Sequence, residues 1–359
     1  MTPGISPWVV EAMEENGIGP EEFFTLPMQE LRERLGAGSD VRLPDLARQE
    51  ALFKARTEEE FIGKHGIKAF FISDEKYPAL LRCIPDAPLM LYVLGDADLS
   101  STPIMNVVGT RRCTSYGTNF CRKLISDLAV YFPRLTIVSG LAHGIDTAAH
   151  MSALDNHLPT LAILAHGLDM IYPAANRDLA RRILSAGGAL ISEYPSGNKP
   201  FKKNFLSRNR IVAGISQLTF VVESEIKGGA LSTANQAFSY SRDVMALPGR
   251  VSDVTSEGCN MLISKMKAQI FTSVPELMKF TGWRPEFAPN LAVEKSLFTD
   301  ISEEARPIVE AMRSHTTPLS IDELHAITNL KISSLMPLLM DLEFEGVISK
   351  LPGARYELC

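Results

Sequence analysis

Between residues 104 and 247 the chain alternates short, apolar, β-branched runs with stretches of helix formers. The apolar runs cover 104–108, 135–138, 160–164, 189–192, 218–222 and 244–247, and the helix-like stretches cover 116–131, 144–154, 176–186, 204–215 and 230–241. Strands alternating with helices predict β-α-β crossovers and a parallel sheet. Runs that are mostly apolar, with no regular polar alternation, predict burial on both sheet faces. The pattern predicts an α/β fold, a Rossmann-like doubly wound parallel sheet of about six strands, within a domain over residues 63–283.

Two smaller modules flank it. Residues 1–62 carry helix formers at 11–16, 21–24, 28–35 and 44–55, broken by Gly and Pro, which predicts an N-terminal helical module. Its Gly17-Ile18-Gly19-Pro20 step reads either as a plain interhelical turn or as a helix-hairpin-helix turn whose amides meet a phosphate. Residues 284–300, with two prolines and no periodicity, predict a linker. Residues 301–359 predict a winged-helix domain. Its helices are expected at 302–313, from the capping-box start Ser320-Ile321-Asp322-Glu323, and over 331–346, where Pro337 must start or bend the helix. A hairpin of 347–350 and 355–358 follows.

The 359 residues, 45% hydrophobic and 22% charged, suit a globular chain rather than a disordered one. No apolar run approaches the ~20 residues that span a bilayer, and no signal peptide is visible. The odd, scattered cysteines (Cys83, Cys113, Cys121, Cys259, Cys359) contain no CxxC pair. A cytoplasmic protein with no membrane partner, no metal and no cofactor is expected. The net charge of −6 hides a division: residues 1–60 sum to −7, 300–359 to −5, and 61–299 to +6. The cationic middle is where an anionic partner is expected.

In a parallel α/β sheet the ligand site lies beyond the carboxyl ends of the strands. Glycine follows the strand in four of five such places, among them Gly109, Gly140 and Gly228-Gly229. That pattern suits backbone amides approaching a phosphate at a helix N-terminus. The sharpest local signal is Lys199-Pro200-Phe201-Lys202-Lys203-Asn204-Phe205-Leu206-Ser207-Arg208-Asn209-Arg210, with five cations and two phenylalanines and no Asp or Glu between Glu193 and Glu223. Cations interleaved with rings suit single-stranded nucleic acid: the cations neutralise phosphates and the rings stack unpaired bases. Arg111 and Arg112 belong to the same edge. The plainer alternative has Phe201 and Phe205 in the core and the cations on a solvated face.

Enzymatic signatures are weak. No G-x-S-x-G, Walker loop, G-x-G-x-x-G or H-E-x-x-H occurs. His143, Asp146 and His150 share a helix face; Asp146 is expected to cap or pair locally and the histidines to pack. Gly228-Gly229-Ala230-Leu231-Ser232-Thr233-Ala234-Asn235-Gln236 echoes the signature of nucleotide phosphoribohydrolases related to lysine-decarboxylase-like proteins, with Gln236 where the acid should be. A winged-helix regulator is a third possibility, opposed by the acids Asp341, Glu343 and Glu345 on its third helix.

Several long motifs together resemble the DNA-processing protein A (DprA/Smf) family. They are Val108-Gly109-Thr110-Arg111-Arg112, Ser139-Gly140-Leu141-Ala142-His143-Gly144-Ile145-Asp146, Gly167-Leu168-Asp169-Met170-Ile171-Tyr172-Pro173, Ile191-Ser192-Glu193-Tyr194-Pro195, Arg208-Asn209-Arg210-Ile211-Val212-Ala213-Gly214 and Ala246-Leu247-Pro248-Gly249. The resemblance implies a mediator of natural transformation without catalysis. Such a protein binds single-stranded DNA, displaces or bypasses single-strand-binding protein and loads a RecA-type recombinase. It also implies a homodimer through the Rossmann-like domain. The DNA-binding residues it implies are Gly109, Thr110, Arg111, Arg112, Gly140, His143, Gly144, Lys202, Lys203, Phe205, Arg208, Asn209, Arg210, Lys227, Gly228 and Gly229. His143 stands where many members have arginine.

Overall fold

The computed structural model describes residues 12–35, 45–100, 103–285, 302, 304–315, 318–344, 347–351 and 355–358. Most of the expected linker and the turn at 352–354 lie outside these residues, as do Glu11, Pro44 and the end of the third winged-helix helix. The chain divides into two compact units, residues 1–287 and 288–359.

The first unit is built on one sheet. Its strands are β1 (Lys68–Phe71), β2 (Met90–Gly95), β3 (Ile104–Val108), β4 (Thr136–Ser139), β5 (Thr160–Leu164), β6 (Ala189–Ser192), β7 (Leu218–Val221), β8 (Asp243–Ala246) and β9 (Gln269–Ile270). They lie in the order β1-β2-β6-β5-β4-β3-β7-β8-β9. All six expected strands are present, and β3 to β9 run parallel. The sheet has nine strands rather than about six, because an antiparallel β1–β2 pair extends one edge and the two-residue β9 the other. The only-partly-buried pattern of β1 and β2 differs from the continuous apolar runs that signal central strands.

Helices cover both faces. Met105, Val107, Ile137 and Phe220 pack under α1 (Ser115–Tyr131) and α2 (Ile145–Asp155). Val138, Ile163, Ile191 and Val221 pack under α3 (Lys202–Ile215) and α4 (Gly229–Ser239). The chain runs from β3 outward through β4, β5 and β6, then returns to place β7 on the other side of β3. The loops after β3 and β7 therefore diverge at a switch point, the usual place for a ligand crevice.

Ahead of the sheet, the helices Pro20–Thr25 and Met28–Leu35 bury Ile18, Phe23, Leu31 and Leu35 in a small core. The helix expected at 44–55 continues to His65. The Gly17–Gly19 turn resolves to the plain reading: its amides donate to Glu14 O, Met13 O and Glu22 Oε2 at 3.2, 2.9 and 3.2 Å.

The second unit has the winged-helix plan: helices Arg306–Arg313, Ile321–Thr328 and Ile332–Phe344, and a three-stranded sheet of Leu319–Ser320, Arg355–Leu358 and Ile348–Leu351. Ser320 and Glu323 form the expected capping box. Pro337 lies inside the third helix rather than at its start.

Candidate nucleic-acid interface

The loop after β3 is held from below so that its arginines face outward. Thr110 N donates to Glu223 O at 2.8 Å, and Thr114 donates through its amide, at 2.9 Å, and its hydroxyl to the buried Glu223 carboxylate. Between these anchors Arg111 and Arg112 are exposed. Arg112 reaches Glu225 at 3.7 Å, a solvent-screened pair of little energetic consequence.

The loop after β4 is organised by Asp146, whose Oδ2 accepts from Gly140 N at 3.2 Å and Ala142 N at 3.3 Å. Burial pushes this carboxyl up from its ordinary value, opposed by Arg208 and by these amides. Of the two expected roles, Asp146 therefore pairs locally, with amides of the loop ahead of its helix, and does not cap the helix. His150 is fully buried, its Nδ1 2.7 Å from Thr160 Oγ1, and burial drives its pKa down to about 3. His143, expected to pack, is instead exposed on the rim, because it precedes the helix that holds the other two groups.

The glycines have a reason that spacing alone did not show. A Cβ on Gly109 would lie 2.5 Å from the Ile145 side chain, and one on Gly140 would lie 2.6 Å from the Arg208 guanidinium. Gly144 has φ +81°, and its Cβ would lie 2.3 Å from Thr110 O. Close packing against the side chains of α2 and α3 at Gly109 and Gly140, and against the loop after β3 at Gly144, favours glycine here, whatever the loops bind. Gly228 packs against Ser224 in the same way, whereas the Cβ position of Gly229 is open.

Helix α3 divides the basic segment by helical phase. Lys202, Lys203 and Leu206 are exposed and Phe205 is half-buried, while Asn204, Arg208, Ile211 and Val212 turn inward. Arg208 is 5% exposed. Its Nη1 donates to Gly140 O at 2.9 Å and to Ile163 O, joining the ends of β4 and β5. Arg210 pairs with Glu193 at 2.7 Å and donates from Nε to Asp86 O at 2.9 Å. Both arginines depart from the expectation that they face a polyanion: the 3.6-residue period puts Arg208 on the inward face with Asn204 and Ile211, whereas Arg210, on the side of the helix shared by Lys203 and Leu206, is withdrawn from solvent by its pairing with Glu193 and Asp86. Asn209 donates to Gly229 O at 3.4 Å, and Lys227 is exposed in the loop after β7.

The aromatic side chains gather. Phe201 is 58% exposed at the N-cap of α3, so it is not a core residue. The Arg111 guanidinium lies 5.3 Å from the Phe205 ring centroid. The Tyr172 ring, 45% exposed, lies 5.7 Å from the Phe205 ring. Tyr172 comes from the separate segment Gly167–Pro173, and only the fold brings its ring beside the basic loop. Its loop is held by the buried His166, whose Nε2 accepts from Tyr172 N at 3.2 Å. Burial lowers the His166 pKa, which keeps that nitrogen an acceptor. Among the described residues, no group of three or more His, Cys, Asp or Glu side chains gathers to hold a metal, and no helix is long and apolar enough to cross a membrane.

The sequence matches the family described as DNA recombination-mediator protein A over residues 68–282 and the DprA winged helix domain over 295–354. Protein Smf of Synechocystis is 36% identical over 315 residues, covering 79% of this chain and 78% of that protein. DNA processing protein DprA of Streptococcus pneumoniae is 41% identical over 210 residues, covering 58% of this chain and 73% of that protein. An X-ray structure of the S. pneumoniae protein superposes with a TM-score of 0.64 at 33% identity, covering 77% of this chain and 94% of that one. A DNA processing protein A structure from Helicobacter pylori, described for its single-stranded DNA binding mode, has a TM-score of 0.53 at 32% identity and covers 59% and 94%.

Proposed function

Because the chain belongs to the DNA recombination-mediator protein A family, we propose that its sheet rim holds single-stranded DNA without cleaving it and delivers the strand to a RecA-type recombinase during DNA uptake and recombination. The observation that carries this reading is the cluster at the carboxyl ends of the strands. There Arg111 lies over the Phe205 ring, Tyr172 stands beside it, and Phe201, Lys202 and Lys203 are exposed. Flat rings take unstacked bases, and the cations neutralise phosphates.

In this reading Arg111, Arg112, His143, Lys202, Lys203, Phe205 and Lys227 meet the strand, with Phe201 and Tyr172 added to them. Gly109, Thr110, Gly140, Gly144, Gly228 and Gly229 shape the floor. Arg208, Asn209 and Arg210 hold it from behind. Gln236, in place of an acid, presents an amide that cannot act as a general acid or base, which supports binding over nucleotide cleavage. A homodimer through this domain is part of the reading; the exposed apolar side chains Met266 and Ile270 are surface that such a contact could cover. The exposed Asp341 and Glu343 on the third winged-helix helix favour protein contact over groove reading. The protein is expected to act in the cytoplasm, on strands also bound by single-strand-binding protein.

Anisotropy titrations of single- and double-stranded oligonucleotides across a salt series test the reading. Wild-type protein should prefer the single strand. Arg112→Ala and Lys202→Ala/Lys203→Ala should weaken binding and flatten the log–log salt slope by about 0.7 per lost phosphate contact. An unchanged affinity and slope rejects the groove. Failure to speed recombinase filament formation on protein-coated strands rejects the loading step.

A further inference from the structure

The geometry points to Glu58 as a positioning residue for this interface: from the helix Asp45–His65 its carboxylate clasps the turn at Ser196 and so presents Lys199, Phe201 and Lys202 to the strand. The inference rests on the single-stranded-DNA reading above.

Glu58 opens an acidic run, Glu58-Glu59-Glu60. Glu59 and Glu60 are exposed, while Glu58 is half-buried. Both of its carboxylate oxygens lie 3.0 Å from Ser196 N, and Oε2 also accepts from the Ser196 hydroxyl. The turn it holds spans residues 195–198. Asn198 N donates to Pro195 O at 3.3 Å, and Gly197 has φ +74°, the left-handed third position of a type II turn. The next amide, Gly197 N, donates to Asp169 Oδ1 at 3.0 Å, and Asn198 O accepts from Gly167 N at 3.0 Å. Two consecutive amides of one turn are thus held by carboxylates from two remote segments. Immediately afterwards the chain presents Lys199 and Phe201 and enters α3 at Lys202.

The segment between β6 and α3 has no regular structure to hold it. Ordering such a loop on binding costs conformational entropy, and preorganisation lowers that cost. Charge-assisted hydrogen bonds are the stronger kind for this purpose. The field of Glu58 acts the other way, because a negative charge beside a cationic loop repels a polyanion. Paired amides are also an anion-binding arrangement, so a carboxylate that merely masked them would inhibit binding. The two roles give opposite signs on removal of Glu58.

The test uses the full chain, an oligothymidylate probe and thermal melts of each variant. Glu58→Ala should weaken binding about 5–20-fold with a salt slope like wild type, because no phosphate contact is removed. Glu58→Gln, whose amide oxygen still accepts from Ser196 N, should recover to within about 3-fold. Glu59→Ala and Glu60→Ala, which remove the same charge without the contact, should leave affinity unchanged or slightly improved. Glu58→Ala combined with Ser196→Ala should cost no more than Glu58→Ala alone. If Glu58→Ala does not fold, Ser196→Ala alone should show a smaller loss of the same kind, and no loss rejects the clasp. Glu58→Gln as weak as Glu58→Ala rejects the hydrogen-bonded clasp. Wild-type or tighter binding by Glu58→Ala, while Lys202→Ala/Lys203→Ala weakens binding, rejects positioning. If Lys202→Ala/Lys203→Ala also leaves affinity unchanged, the DNA reading fails and the clasp with it.

Discussion

Arg210 grips Glu193 with two parallel hydrogen bonds, Nη1 to Oε1 at 2.8 Å and Nη2 to Oε2 at 2.7 Å. Both side chains are largely withdrawn from solvent. The same guanidinium reaches Asp86 O, so one residue joins α3, the end of β6 and the segment ahead of β2. A withdrawn pair of this kind stabilises little compared with apolar packing, but breaking it leaves a charge without compensation.

Arg210→Ala is therefore expected to destabilise the fold by about 3–5 kcal/mol. Denaturant unfolding would show this as a lower midpoint, while the folded fraction keeps its single-strand affinity. A large affinity loss without a stability loss would return Arg210 to the DNA contacts.

Phe205→Ala removes a ring that also takes the Arg111 guanidinium. The expected loss of single-strand binding is about 1–3 kcal/mol, with no change in salt slope, because stacking releases no counterions. Phe205→Trp should retain affinity. Equal affinity for the alanine variant at every salt concentration would remove Phe205 from the interface.

Gly144→Ala forces a side chain into φ +81° and against Thr110 O. The loop carrying Arg111 and Arg112 must then move. Thermal melts should show a loss of about 1–3 kcal/mol, and titrations a parallel loss of DNA affinity. A fully stable variant with normal binding would show that the contact between these loops is dispensable.

Acid should destabilise the fold through His150. Its pKa in the folded protein is about 3, against about 6.5 in an unfolded chain. Between those values the unfolded state binds the extra proton, so stability falls as pH falls, by up to about 1.4 kcal/mol per pH unit. Unfolding measured from pH 7 to pH 4 should show this slope, and His150→Gln should reduce it. An identical pH profile for the variant would assign the acid sensitivity to other groups.

The central fold was legible because local periodicity and burial agree there. Ile104–Val108 and Thr160–Leu164 are buried at every position, so an apolar run with no polar alternation was sufficient evidence of a doubly covered parallel strand. The winged-helix unit was legible for a similar reason: the Ser320–Glu323 capping box is local chemistry. The edge strands were not, since half-buried segments such as Lys68–Phe71 become strands only when a neighbour supplies the ladder.

At the site, residue types alone determined that cations and rings collect after β6, on one edge of a parallel sheet. Which of them face solvent was decided by tertiary structure. Lys202 and Arg208 look equivalent in a charge count, yet one is exposed and the other holds the carbonyls of Gly140 and Ile163. The grip of Glu58 on Ser196 spans 138 positions of sequence and has no local signature. A hydrogen bond between remote segments depends on how the whole chain closes, and a pattern read along the chain contains only its neighbours.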